Sequence, residues 1–194
     1  KEMKDKYDFL QEFKSDSKRE IACTLATFGA FTEGLQLFAS FAILLNFPRF
    51  NKMKGMGQIV SWSVRDETLH TNSMIRLFST FMSENSELRS QSLDKELQEI
   101  CLKVVEHEDA FIERAFELGG VEGLEGADVK RYIRFVANGR LRQLGLGPCF
   151  EVSENPLPWV EEMVNGVEHV NFFENRATEY SRAATKGSWG DVFT

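Results

Sequence analysis

The chain is poor in the residues that interrupt or cross-link a fold. It has 4 prolines and 3 cysteines in 194 residues, and no two cysteines have C-x-x-C spacing. Cys23, Cys101 and Cys149 stand far apart, which excludes a disulfide framework and favours a reducing, cytoplasmic compartment. A glycine-rich loop after a strand and a G-x-S-x-G elbow are also missing, so nothing indicates a phosphate-binding loop or a serine hydrolase.

Excess basic charge and long apolar runs are missing as well. Lys and Arg number 23 against 30 Asp and Glu, a net charge of −7, so no nucleic-acid partner is expected. The most apolar stretch, LFASFAILLNF (37–47), is about half of a membrane span, and the start does not read as a signal peptide, so no membrane partner is expected. The chain opens inside a charged helical pattern, KEMKDKYDFLQEF, and we expect that pattern to be part of a longer polypeptide.

Helical periodicity fills the stretches between the few breakers. It predicts helices over about 16–46, 56–83, 92–118 and 128–144, and a short helix over WVEEMV (159–164). The first is expected to end at NFPRF with Pro48, and the third to end at Gly119-Gly120. No strand alternation occurs, so the fold class is predicted to be all-α. Periodicity fades after Gly166, which predicts a helical domain over 1–166 and a tail over 167–194.

Two of these helices carry charged side chains on faces that are otherwise suited to burial. Glu67 and His70, in SWSVRDETLH (61–70), share a face with Ser63, Met74 and Leu77. Glu33 is the only charged member of the face formed by Ala26, Ala30, Leu37 and Phe41. A carboxylate on an apolar face must be paired, protonated or bound to a cation. Because the turn at Pro48 is short, the two helices should pack antiparallel, and the three groups should converge.

The interpretation of these groups that needs no metal is a surface ion pair or an ordinary core histidine. Glu-x-x-His alone is a weak motif, but Glu33 on the preceding helix adds a third possible ligand, so a metal site and a site without metal both stay open. Carboxylate with imidazole suits iron, manganese or zinc. The phenylalanines are read as core packing, and His107 and His169 as ordinary histidines.

Five ordered segments resemble one family. FTEGLQLFASFA (31–42), SWSVRDETLH (61–70), AFELGG with RYIRFVANGRLRQLGL (115–146), NPLPW (155–159) and NFFENRATEY (171–180) closely resemble the small, radical-generating subunit of class I ribonucleotide reductase. The resemblance implies a ferritin-like helical bundle with two irons, held by four carboxylates and two histidines. It implies that Glu33, Glu67 and His70 are metal ligands, that Asp66 hydrogen-bonds a ligand histidine and helps carry the radical, and that Tyr180 relays the radical to the large subunit.

The remaining ligands of that family, an aspartate and a Glu-x-x-His pair, and its radical-storing tyrosine are expected upstream of Lys1. The bundle is therefore expected to be partial, lacking its N-terminal helices, with half of the metal site and no activity in isolation. The implied enzyme is ribonucleoside-diphosphate reductase, an oxidoreductase that makes deoxyribonucleotides for DNA replication. Its implied partners are the large (alpha) subunit and a second copy in a homodimer, and its cofactor is dinuclear iron, or alternatively Mn/Fe or dimanganese. Two alternatives stay open: another ferritin-like dimetal oxidase, and a non-catalytic helical remnant that makes protein contacts.

Overall fold

The computed structural model describes residues 2–165, and these residues form helices with no β-strand. In chain order they are α1 (Glu2–Leu10), α2 (Lys18–Ala26), a π-helical segment (Thr27–Gln36), α3 (Phe38–Arg49), α4 (Lys54–Glu84), a 3-10 turn (Ser86–Leu88), α5 (Gln91–Phe116), α6 (Gly126–Gln143) and α7 (Pro158–Asn165). The predicted all-α class is confirmed. The predicted boundary between residues 166 and 167, His169 and Tyr180 lie outside the described residues.

The first predicted helix is a continuous helical run with a change of winding inside it. A capping box starts the run, because the Ser17 hydroxyl accepts a hydrogen bond from the Glu20 amide at 3.2 Å and the Glu20 carboxylate accepts one from the Ser17 amide at 2.9 Å. The run ends at Arg49, one residue beyond Pro48. The prediction of one uninterrupted α-helix is wrong over Thr27–Gln36, where the winding is that of a π-helix. Hydrophobic periodicity does not distinguish a change of winding within a helix.

The helical run and α4 pack antiparallel, as the short turn predicted. Three glycines mark where their backbones approach most closely, since a Cβ added at each would lie within 3 Å of a side chain of the other helix. The contacts follow in antiparallel order: Pro48 with Gly57, Gly34 with Thr71, and Gly29 with Met74.

The π-helical segment lies at the centre of the bundle. It packs against α4, α5 and α6, and Ala30, Phe31 and Leu35 within it are fully buried. The run Lys18–Arg49 is long and apolar enough to span a membrane by length and composition, which the sequence analysis did not predict, but 61% of its most apolar window is buried inside the fold. It is therefore a core helix. The three cysteines are free, as expected.

A buried contact between Lys6 and Glu108 joins α1 to α5. The Lys6 ammonium contacts the Glu108 carboxylate, whose side chain is 0% exposed. Burial raises the pKa of the Glu108 carboxyl to about 7, although Lys6 acts in the opposite direction. This pair makes α1 part of the fold, and it also makes the packing of α1 sensitive to pH.

Candidate metal centre

Glu33 lies in the π-helical segment, and the winding there decides which neighbours share its face. A π-helix bonds residue i to i+5, so its turn is wider than that of an α-helix. The predicted face of Ala26, Ala30, Glu33, Leu37 and Phe41 is consequently broken. Leu37 is 37% exposed, whereas Ala30 is fully buried. Short π-helical stretches occur frequently at functional sites.

The structure brings the three sequence-predicted ligands together. One ligand atom from each of Glu33, Glu67 and His70 lies within 4.8 Å of the others. The His70 Nδ1 is 3.5 Å from the Glu67 Oε2. Donor atoms held at 2.0–2.2 Å by a single ion are roughly 3 to 3.5 Å from one another, so the most distant pair would have to close by up to about 1.3–1.8 Å when a metal binds. Rotation of the three side chains can supply a movement of this size.

The prediction that the Glu67 and His70 face of α4 is buried is wrong for the described residues. The His70 side chain is 56% exposed and the Glu67 side chain 24% exposed. Leu77, on the same face, is 50% exposed. The physical reason is that α4 turns a different face to the bundle, and within residues 2–165 no element covers the face that carries His70. The buried side of α4 is formed by Gly57, Val60, Ser61, Val64, Thr71, Ile75, Phe78 and Met82.

Several polar atoms around Glu33 are buried without a hydrogen-bond partner. They include the Glu33 Oε2, the Thr32 Oγ1, the Gln36 Nε2 and, on α4, the Thr71 Oγ1. Buried polar groups nearly always have partners, and a carboxylate oxygen without one is costly. The unpartnered Glu33 oxygen is therefore the atom that most needs a cation.

Glycines flanking Glu33 allow the two ligand-bearing helices to meet. A Cβ at Gly29 would lie 2.3 Å from the Met74 Cβ, and a Cβ at Gly34 would lie 2.9 Å from the Thr71 Cγ2. Gly29 is one turn before Glu33, and Met74 is one turn after His70. These close contacts therefore set the distance between the candidate ligands.

Arg140 on α6 is a residue near the site that the sequence analysis did not identify. Its Nε donates a hydrogen bond of 2.8 Å to the carbonyl oxygen of Gly34, the residue next to Glu33. The guanidinium also lies over the Phe38 ring, 5.4 Å from its centroid. Arg140 thus fixes the backbone beside a candidate ligand. The motif RYIRFVANGRLRQLGL contains four arginines, and its pattern does not show which of them faces inward.

Asp66 and His107 behave differently from the three clustered residues. Asp66 is exposed on α4, and its carboxylate makes no hydrogen bond to another residue of the described part. His107 lies on α5, away from the cluster, with its ring 5.4 Å from that of Phe9 in an edge-to-face contact. Burial is the main cause that lowers the pKa of His107, so an ordinary packing role fits it.

Carboxylate oxygens and an imidazole nitrogen within 4.8 Å, with one oxygen buried and unpartnered, fit a first-row transition metal. Fold and cluster together define an all-helical bundle with a candidate carboxylate–histidine metal centre. Residues 1–156 match the family model for the ribonucleotide reductase small chain. The chain belongs to this family.

Relatives and a solved structure agree with this assignment. The chain is 46% identical, over 97% of its length, to a ribonucleoside-diphosphate reductase small subunit of Invertebrate iridescent virus 3, and it covers 55% of that protein. It is 38% identical over 99% of its length to a small subunit of Invertebrate iridescent virus 6, of which it covers 64%. The chain therefore spans a little over half to almost two thirds of the length of these relatives.

The fold matches the ribonucleotide reductase R2 subunit from Clostridium botulinum with a TM-score of 0.78. The identity is 21%, and the match covers 84% of this chain and 53% of that one. The expected ferritin-like helical bundle is confirmed.

Proposed function

We propose that this chain is part of the small subunit of a ribonucleoside-diphosphate reductase and that Glu33, Glu67 and His70 hold metal in its dimetal centre. Membership of the ribonucleotide reductase small-chain family supports the proposal. The observation that carries it is the convergence, within 4.8 Å, of one ligand atom from each of the three residues, and the buried Glu33 Oε2, which has no hydrogen-bond partner, supports it. An arrangement meant only for packing would leave that carboxylate at a high cost.

The three side chains supply different donor atoms to the metal. Glu33 and Glu67 supply negative charge and hard oxygen donors, and His70 supplies a neutral imidazole nitrogen. When bound, the metal pair supplies an oxidising equivalent by reaction with oxygen. Phe31, which is fully buried, and Phe38, which is 8% exposed, are apolar neighbours of Glu33 on the same helical run.

Further donors belong to the proposed centre. Two first-row metals need more ligands than two carboxylates and one imidazole, so the remaining carboxylates and imidazoles come from outside the described residues. They would also cover the exposed His70. We propose two irons as the native metals, with Mn/Fe or dimanganese as alternatives.

The radical path and the partners belong to the same proposal. Asp66 would hydrogen-bond a ligand histidine and pass the oxidant on, and Tyr180, in a tail over residues 167–194, would relay it to the large subunit. The assembled enzyme would be a cytoplasmic homodimer of small subunits bound to the large subunit, with no nucleic-acid or membrane partner. Its product would be deoxyribonucleotides.

Metal titration of the chain tests the ligand assignment. Co²⁺ binding, followed by calorimetry, should be weak and saturable, and it should be lost in Glu33→Ala, Glu67→Ala and His70→Ala. Glu84→Ala, which removes an exposed carboxylate from the end of α4, is the control and should leave binding unchanged. Equal binding by all four variants would refute the assignment. Tight binding of two metals per isolated chain would contradict the proposal that the chain supplies only part of the ligands.

Binding to a large subunit separates reductase function from that of another dimetal oxidase. A purified ribonucleotide reductase large subunit should retain the chain, and deletion of residues 167–194 should abolish retention. If metal binds as proposed but no large subunit is retained, the metal assignment survives and the reductase assignment fails.

A further inference from the structure

A cavity of about 350 Å³ lies between α4, α6, α7, the start of α3 and the segment that follows α6. This volume falls within the range of small-molecule sites, about 300 to 1,000 Å³. The cavity is separate from the three candidate metal ligands, none of which lines it. Most of its wall is apolar, formed by Phe38, Val64, Phe135, Val136, Val160 and Val164.

Two polar side chains in the wall are already satisfied. The Asn138 amide donates to the Phe150 carbonyl at 2.8 Å, and its oxygen accepts from the Cys149 amide at 3.1 Å. The Thr68 hydroxyl donates to the Val64 carbonyl at 2.6 Å. These groups hold the wall in place and have little capacity left for a ligand.

Arg140 and Tyr132 are different, because each lines the cavity with unused hydrogen-bonding capacity. The Arg140 guanidinium donates through Nε to Gly34 and through Nη1 to Gln143, but it forms no ion pair with any carboxylate of residues 2–165. Tyr132 is 3% exposed, and its hydroxyl has no hydrogen-bond partner within the described part of the chain. Burial lowers the pKa of Arg140 and raises that of Tyr132. A partly buried guanidinium without a counter-ion favours an anion.

We propose that this cavity binds a small organic monocarboxylate, with its carboxylate on the Arg140 guanidinium and the Tyr132 hydroxyl and its apolar part against the valines. The planar fork of an arginine matches a carboxylate, and the pairing is strengthened where water is excluded. Glu161 and Arg142 also line the cavity, and both are exposed and carry opposite charges, which leaves Arg140 as the one partly buried cation for a single anionic group. A monocarboxylate therefore fits better than a dicarboxylate or a phosphate ester.

Benzoate is a suitable probe, and benzamide is its uncharged counterpart of the same shape. Titration of the full chain, followed by ligand-observed NMR, should show saturable benzoate binding below about 10 mM and at least about tenfold weaker benzamide binding. Arg140→Gln should weaken benzoate about tenfold or more, and Tyr132→Phe about fivefold. Arg131→Gln, which removes an exposed arginine of α6, is the control and should have no effect.

Glu161→Gln distinguishes a site that binds its ligand through charge from a cavity that binds through apolar contacts alone. Removing this charge should tighten benzoate and leave benzamide unchanged, and the substitution is on an exposed residue, so folding is not at risk. Equal affinity for benzoate and benzamide would overturn the proposal. So would the absence of saturable benzoate binding, which is also the result expected if another part of the chain fills the cavity.

Discussion

Adding a single methyl group at Gly29 should separate the candidate ligands. The Cβ of Gly29→Ala would lie 2.3 Å from the Met74 Cβ, so the two atoms must move apart by about 0.7 Å to reach 3.0 Å and by 1.1 Å to reach an ordinary van der Waals contact of 3.4 Å. Both partners in this contact are Cβ atoms, which cannot move without their backbones. Glu33 and His70 are each one turn away, so their ligand atoms must part as well.

The short contact between the two Cβ atoms should lower both the unfolding free energy and the affinity for Co²⁺. Overpacking of a tight core typically costs about 1–3 kcal/mol of unfolding free energy. Metal sites tolerate distance errors of only about 0.2 Å, and loss of the support around ligands commonly weakens metal binding about 10- to 100-fold. Gly29→Ala should therefore lose both stability and Co²⁺ affinity, the latter by about one to two orders of magnitude.

Gly139→Ala is the matched control. Nothing lies within 4 Å of a Cβ at Gly139, and the residue is within α6. Alanine there should raise the unfolding free energy by about 0.5–1 kcal/mol through helix propensity and leave Co²⁺ affinity unchanged. Urea denaturation and Co²⁺ calorimetry of both variants measure the two quantities. If Gly29→Ala loses stability but keeps its Co²⁺ affinity, the close contact does not set the ligand spacing.

Three further substitutions test separate parts of the structure. Because the folded-state pKa of Glu108 is raised from 4.5 to about 7, its stabilising effect is present below pH 4.5 and is lost as the pH rises through 7. Relative to Glu108→Gln, the wild type should lose ~3 kcal/mol of unfolding free energy between pH 4.5 and 7.5, measured by urea denaturation, with exposed Glu106→Gln as the control. Asn138→Ala removes the bonds that hold the segment after α6, and it should lower the unfolding free energy by about 1–3 kcal/mol and speed amide exchange at Cys149 and Phe150. Ser17→Ala should cost about 1 kcal/mol, read from the thermal midpoint, and Ser17→Gly only a few tenths.

Much of the architecture could be predicted from the sequence because it depends on local pattern. The order of the long helices, the antiparallel pairing around Pro48 and the convergence of Glu33 with Glu67 and His70 all follow from spacing and one short turn. The metal role of these residues remains a prediction.

Other features depend on tertiary packing and leave little local signal. The π-helical winding at Thr27–Gln36 has no distinct periodicity, and it moved Leu37 to the surface. The exposure of His70 depends on which elements cover α4, which its own sequence does not specify. Arg140 donates a hydrogen bond to the backbone carbonyl of Gly34, which is 106 residues away in the sequence. No local motif indicates a contact between residues so far apart.

The most direct test of the metal assignment is an anomalous-difference map from crystals of the chain grown with Co²⁺. We expect one peak, about 2.0–2.2 Å from an oxygen of Glu33, an oxygen of Glu67 and a ring nitrogen of His70. A map with no peak there, or with cobalt bound only at other carboxylates, would contradict the assignment of these three residues as metal ligands.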